Sequence, residues 1–185
     1  LIAAIGPTGL PLDPTSAVSL KQSKKQYHDA VLALTQYPFD ALYLTGFKSL
    51  DDAQCALMGA RAVYDGPVFI SLAPNGEGMF PGCRTLSEGV ALCDEYGADV
   101  IGIVSDAPAH VLVGFAKEMA SATDKPLLVD ASVRRKDRRQ FEPTDENPYP
   151  TADAVVELAV RLRAQGVQFL RASGAATPAY TGALL

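Results

Sequence analysis

The stretch V-Q-F-L-R-A-S-G-A-A-T-P, Val167 to Pro178, sets the reading of the whole chain. An apolar strand runs into small residues, and Thr177 with Pro178 then opens a helix. Proline suits the first helical turn, where a backbone N–H has no partner in any case. A strand that hands over to a helix in this way is the repeating unit of α/β proteins, and its carboxyl end is where such proteins display their chemistry.

Working outward, Thr151 is expected to cap a helix that runs to Gln165 and stops at Gly166. Before it lie the strands Pro126–Val129, Val100–Val104, Pro67–Leu72, Phe39–Leu44 and Leu1–Ile5, the last expected to be buried. Helical patterns separate them. The first starts at Ser16 or Ser19 and carries Leu20, Tyr27, Val31 and Leu34, and the second starts at Ser49 and carries Leu50, Ala53, Leu57 and Ala60. Thr85–Tyr96 and Pro108 to about Ala122 complete the set. Strand and helix alternate six times, which predicts parallel βα units joined by right-handed crossovers. Two loops are long for this pattern: the Pro/Gly-rich Ala73–Gly82, and Asp130–Pro150 with its run V-R-R-K-D-R-R-Q.

The 185 residues fit one domain, and 48% hydrophobic with 20% charged residues describes a chain that folds around a core. A net charge of −5 argues against general nucleic-acid binding, which needs a positive surface to displace phosphate counterions. Cys55, Cys83 and Cys93 form no C-x-x-C pair, so neither a disulfide framework nor a zinc knuckle is expected, and a reducing cytoplasm is the simplest setting. Leu1–Ile5 is far too short to span a membrane. Neither G-P-T-G nor G-E-G makes a phosphate loop.

Taken in order, the units resemble the homocysteine S-methyltransferase family, zinc-dependent (β/α)8 barrels that include the homocysteine-binding module of cobalamin-dependent methionine synthase. The resemblance rests on L-I-A-A-I-G-P-T-G, F-D-A-L-Y-L-T-G-F, D-D-A-Q-C-A-L-M-G-A-R-A-V, P-V-F-I-S-L, G-A-D-V-I-G-I-V-S, K-P-L-L-V-D and G-V-Q-F-L-R-A-S-G-A-A-T-P. It begins at the family's third strand. The expected fold is therefore a partial TIM (β/α)8-type barrel of six βα units corresponding to family strands 3 to 8, one domain over residues 1–185 with the first two units absent. An open sheet of this kind exposes strand edges, so another chain or a second copy is expected to complete the barrel.

The resemblance implies a zinc ion on three cysteine thiolates. Those positions read Ser105, Ser173 and Gly174 here, and the family's amine-binding glutamate aligns with Thr45. A serine hydroxyl is a hard, high-pKa ligand and glycine has no side chain. No metal or cofactor is therefore expected, and zinc-dependent thiol methylation is not expected either. The leading expectation is a non-catalytic or accessory subunit. The alternative is a zinc-independent methyltransferase or other small-molecule enzyme whose barrel mouth is lined by Thr8, Thr45, Ser105, Asp106, Asp130, Ser173 and Gly174.

Asp106 and Asp130 at neighbouring strand exits invite a cation or proton-transfer role, against the plainer reading that each caps a following helix. His28 and His110 lack a partner at metal spacing and read as surface or packing residues. Arg134, Arg135, Lys136, Arg138 and Arg139 form a basic run that reads either as a solvated loop or as a contact for an anion or an acidic partner. Arg171, at a strand exit, must find a counter-charge or reach solvent.

Overall fold

The computed structural model describes residues 1–135 and 139–185. In chain order its elements are β1 (Ile2–Ile5), α1 (Ala17–Leu34), β2 (Ala41–Phe47), α2 (Leu50–Arg61), β3 (Val68–Leu72), β4 (Met79–Phe80) and β5 (Arg84–Thr85). They continue with α3 (Leu86–Glu95), β6 (Val100–Ser105), α4 (Ala109–Ala122), β7 (Leu127–Val133), α5 (Ala152–Arg163), β8 (Val167–Gly174) and α6 (Pro178–Ala183). The main sheet runs β1-β2-β3-β6-β7-β8, with every pairing parallel. The fold is α/β and TIM-barrel-like, a curled partial barrel with helices outside.

Strand alternation divides each strand between two environments. Leu42, Leu44, Ile70, Leu72, Ile101, Ile103, Val129 and Ala131 face the helices and join Leu57, Leu86, Leu112, Met119 and Leu158 in one core. Tyr43, Phe69, Val100 and Leu128 form a second apolar group on the concave face. The sheet is strongly curled. Phe69 on β3 and Phe169 on β8 meet edge-on with ring centroids 5.0 Å apart, although two strands lie between theirs. In a flat sheet those strands would be about 14 Å apart.

Ser16 caps α1 and Ser49 caps α2, each accepting from a backbone N–H three residues on. Thr85 and Glu88 form a reciprocal capping box at α3. Gly59 lets α1 and α2 touch: a Cβ there would lie 2.6 Å from the Lys24 carbonyl oxygen.

Several sequence expectations need correction. Leu1–Ile5 is not a buried strand. β1 is an edge strand with Ile2 54% exposed, because no strand among the described residues pairs with its outer side. Thr151 makes no side-chain cap to α5, and α4 is preceded by Pro108 with no side-chain cap, so Asp106 does not cap it. The loop after β3 contains a hairpin, β4 with β5, folded around Asn75, whose Oδ1 accepts from the N–H groups of Glu77 and Met79 at 3.0 and 2.8 Å. β7 continues four residues past Val129, which places Asp130 inside a strand. Likewise β2 reaches Phe47, so Thr45 lies within it. Polar residues on the concave face hid both continuations from a reading based on apolar runs.

Candidate functional site

The concave face turns polar toward the carboxyl ends of the strands. On β2 and β3 three hydroxyls are linked: Tyr43 Oη donates to Ser71 Oγ at 2.9 Å, and Ser71 Oγ donates to Thr45 Oγ1 at 3.2 Å. The Gly46 N–H also donates to Ser71 Oγ at 3.3 Å. Burial raises the pKa of the Tyr43 hydroxyl, so this group remains a protonated donor at neutral pH.

On β7 and β8 the register pairs Asp130 with Arg171 and Ser132 with Ser173. Asp130 is 1% exposed, and its Oδ2 lies 3.3 Å from Arg171 Nη1. Its Oδ1 has no hydrogen-bond partner among the described residues. Burial holds the Asp130 carboxyl above its ordinary pKa, while Ser173, the charge of Arg171 and Tyr43 pull it the other way. Arg171 thus satisfies both halves of the sequence expectation, with a counter-charge on one side and a side chain 48% exposed on the other.

Above this layer, a cavity of about 800 Å³ opens at the mouth, lined by Gly46, Asn75, Met79, Val104, Asp106 and Ser132 among others. Ser105 also lines it, but its Oγ accepts from the Ala107 N–H at 3.1 Å, a local turn. Asp106 Oδ2 receives Arg134 Nε at 2.7 Å and Nη2 at 2.6 Å, and Arg134 Nη1 reaches the Glu146 carbonyl oxygen at 2.7 Å. Asp106 and Asp130 are paired with different arginines, Arg134 and Arg171.

Thr8 lies apart from this cluster. Its N–H donates to Tyr27 Oη at 3.1 Å, and it lines a separate polar cavity of about 280 Å³ with Ser19, Gln22 and Gln26. Gly174 ends β8 at φ +69°, and a Cβ there would stand 2.6 Å from the Val133 carbonyl oxygen. In the basic run, Arg134 is taken up by Asp106 and Arg135 is exposed, while Lys136 and Arg138 lie outside the described residues. Arg139 is engaged in contacts of its own. Sequence reasoning missed Tyr43, Ser71 and Ser132. Counting every second residue back from Thr45, and on from Asp130, would have found Tyr43 and Ser132.

The residues present do not fit the zinc site that the resemblance implies. Ser105 and Ser173 offer hydroxyls and Gly174 offers nothing. Cys55 and Cys93 are buried in α2 and α3, with burial raising the Cys93 thiol to about 12. Cys83 is exposed in the turn of the β4–β5 hairpin. Among the described residues no group of three or more His, Cys, Asp and Glu side chains is placed to hold a metal ion.

Among solved structures, the chain is similar to the apo form of the homocysteine methyltransferase MmuM from Escherichia coli, with a TM-score of 0.75 and 16% identity over 99% of this chain and 60% of that one. The shared property is the fold. An N-acetylneuraminate lyase from Mycoplasma synoviae gives a TM-score of 0.59 at 11% identity over 98% and 58%. An isomerase from Streptomyces coelicolor A3(2) gives 0.55 at 12% over 99% and 50%. The chain therefore spans between half and three fifths of the length of these enzymes. No protein-family model matches it, and no curated protein does. Among the described residues no helix is long and apolar enough to cross a membrane.

Proposed function

We propose that this chain is a divergent relative of the homocysteine S-methyltransferases that has given up zinc-dependent thiol methylation and serves as an accessory subunit of a larger barrel assembly. The observation that carries this is the donor set at the mouth, where Ser105, Ser173 and Gly174 stand in place of three thiolates. Zinc activates a thiol by holding it as the thiolate at neutral pH, and hydroxyls without a lowered pKa do not assemble that site. Zinc analysis of the purified full-length chain is expected to give far less than one ion per chain. One zinc per chain that is lost when Ser105 and Ser173 are both replaced by alanine overturns the proposal.

The open flanks support the assembly part. Among the described residues β1 and β8 each pair on one side only, and a groove of about 820 Å³ runs along β8, lined by Val167 to Ala172 together with residues of α6. Exposed edges of parallel strands are normally covered. The native particle is expected to contain further strands, from another chain or a second copy, seated between β8 and β1. A native mass equal to a single isolated chain that stays folded overturns that part.

A second reading is favoured by one observation, the buried Asp130 on β7, two residues before Ser132, which lines the mouth cavity. In it the same mouth binds a small molecule and turns it over without zinc.

A further inference from the structure

We propose that the cavity at the mouth binds an organic monocarboxylate with an apolar body, its carboxylate held by Lys48. This rests on the reading of the mouth as a small-molecule site and names the class of molecule that site takes.

Charge decides the sign of the ligand. Among the described residues, two charged side chains line the cavity: Lys48, between β2 and α2, and Asp106, just after β6. Asp106 is already neutralised, since Arg134 meets its Oδ2 through Nε at 2.7 Å and through Nη2 at 2.6 Å. Lys48 makes no ion pair and no hydrogen bond among the described residues. The wall therefore carries one uncompensated positive charge, on a chain whose net charge is −5. A cationic ligand would meet that ammonium with no unpaired carboxylate in the lining to offset it.

Hydrogen-bonding capacity points the same way. Asn75 lines the cavity and spends its Oδ1 on the N–H groups of Glu77 and Met79, which leaves the two Nδ2 donors for a partner. Ser105 Oγ accepts from the Ala107 N–H, so its own O–H remains to donate. With Lys48 these are donors in want of an acceptor, and a carboxylate is acceptor-only. One ammonium also matches one negative charge. A phosphate monoester, with a charge of about −2 at neutral pH, would lack a second cation.

The remaining wall selects the body. Pro74, Met79, Pro81 and Val104 give the cavity an apolar lining, and its volume of about 800 Å³ leaves room for far more than a carboxylate. Methionine is unbranched and polarisable, so Met79 can adapt to a ring as readily as to an aliphatic chain.

The test titrates phenylacetate, acetate, 2-phenylethanol, 2-phenylethylamine and phenyl phosphate into the full-length chain, followed by NMR on the Gly46, Val104 and Ser132 amides. Phenylacetate is expected to bind about tenfold or more tightly than 2-phenylethanol, which lacks the charge, and than acetate, which lacks the body. Lys48→Gln is expected to bring phenylacetate down to the 2-phenylethanol level and to leave 2-phenylethanol unchanged, while Lys48→Arg keeps the preference. Lys48 is exposed and has no partner among the described residues, so both variants are expected to fold as the parent does. Tighter binding of 2-phenylethylamine overturns the anion assignment, and tighter binding of phenyl phosphate overturns the monocarboxylate. Acetate binding as well as phenylacetate overturns the apolar body. A preference for phenylacetate that survives Lys48→Gln overturns the role of Lys48. Each of these leaves the mouth reading standing, whereas no occupancy by any of the five overturns both.

Discussion

Arg171 on β8 places its guanidinium carbon 5.5 Å from the centroid of the Tyr43 ring on β2, a strand separated from β8 by β3, β6 and β7. The contact spans the barrel interior, with the charge of Arg171 balanced by Asp130 on the neighbouring strand. It ties the two polar groups of the concave face into one site.

Removing the guanidinium leaves a carboxylate buried at 1% exposure with weaker compensation. Arg171→Met is expected to cost about 1–3 kcal/mol, the penalty of stranding a buried polar group. Asp130→Asn in the Arg171→Met background is expected to recover much of it, since the stranded charge is then gone. A double-mutant cycle by urea denaturation checks the coupling.

Burial raises the Asp130 pKa in the folded chain above its ordinary value, so the folded state holds this proton more tightly than the unfolded state does. The contribution is fully present below the unfolded pKa and is lost as pH rises through the folded one. Asp99 and Glu88, whose pKa values are lowered, work in the opposite direction. The difference between the chain and Asp130→Asn isolates the effect. Urea unfolding between pH 4 and 8 is expected to show the variant gaining on the parent as pH rises.

Gly59 and Gly114 both lie in helices and should respond oppositely to alanine. A Cβ at Gly59 meets backbone atoms of α1 at 2.6 and 2.8 Å, whereas one at Gly114 meets nothing within 4 Å. Gly59→Ala is expected to destabilise by about 1–3 kcal/mol through overpacking. Gly114→Ala is expected to stabilise by up to about 1 kcal/mol through helix propensity. Thermal melts of the two variants check the sign.

The three thiols should separate by reactivity. Cys55 and Cys93 are buried, and burial raises both thiol pKa values, while Cys83 is exposed. One thiol per native chain is expected to react quickly with a disulfide reagent at neutral pH, and the other two only on unfolding. Loss of the fast phase in Cys83→Ser assigns it.

Arg134 joins the exit of β6 to the loop before α5 through Asp106 and the Glu146 carbonyl oxygen. Both side chains are about half exposed, so Arg134→Gln is expected to change global stability by less than about 1 kcal/mol. Limited proteolysis between residues 139 and 150 is expected to quicken.

How much was legible follows from what each signal measures. The six-unit alternation and the helix faces at Leu50, Ala53, Leu57 and Ala60 were readable because those residues pack outward into a core, and apolar periodicity reports that packing directly. The ends of β2 and β7 were not, because Thr45, Asp130 and Ser132 face the interior of the curl, where polar residues interrupt the apolar run while the backbone pairing continues. The arginine beside each of Asp106 and Asp130 was not legible either, because it comes from a different segment: Arg134 from just after β7 and Arg171 from β8.

By itself, the sequence determined the class of fold, the order of its units and the chemistry available at the mouth: hydroxyls, carboxylates and arginines where the resemblance implies thiolates. Those are properties of residue types and of periodicity along the chain. Only the tertiary structure decided that Arg171 belongs to Asp130 and Tyr43, that Arg134 belongs to Asp106, and that Thr8 stands outside the cluster. Such pairings depend on the curl of the sheet and the parallel register between strands, which bring together residues from 28 positions apart, as for Arg134 and Asp106, to 128, as for Arg171 and Tyr43, and leave no local trace in the order of amino acids.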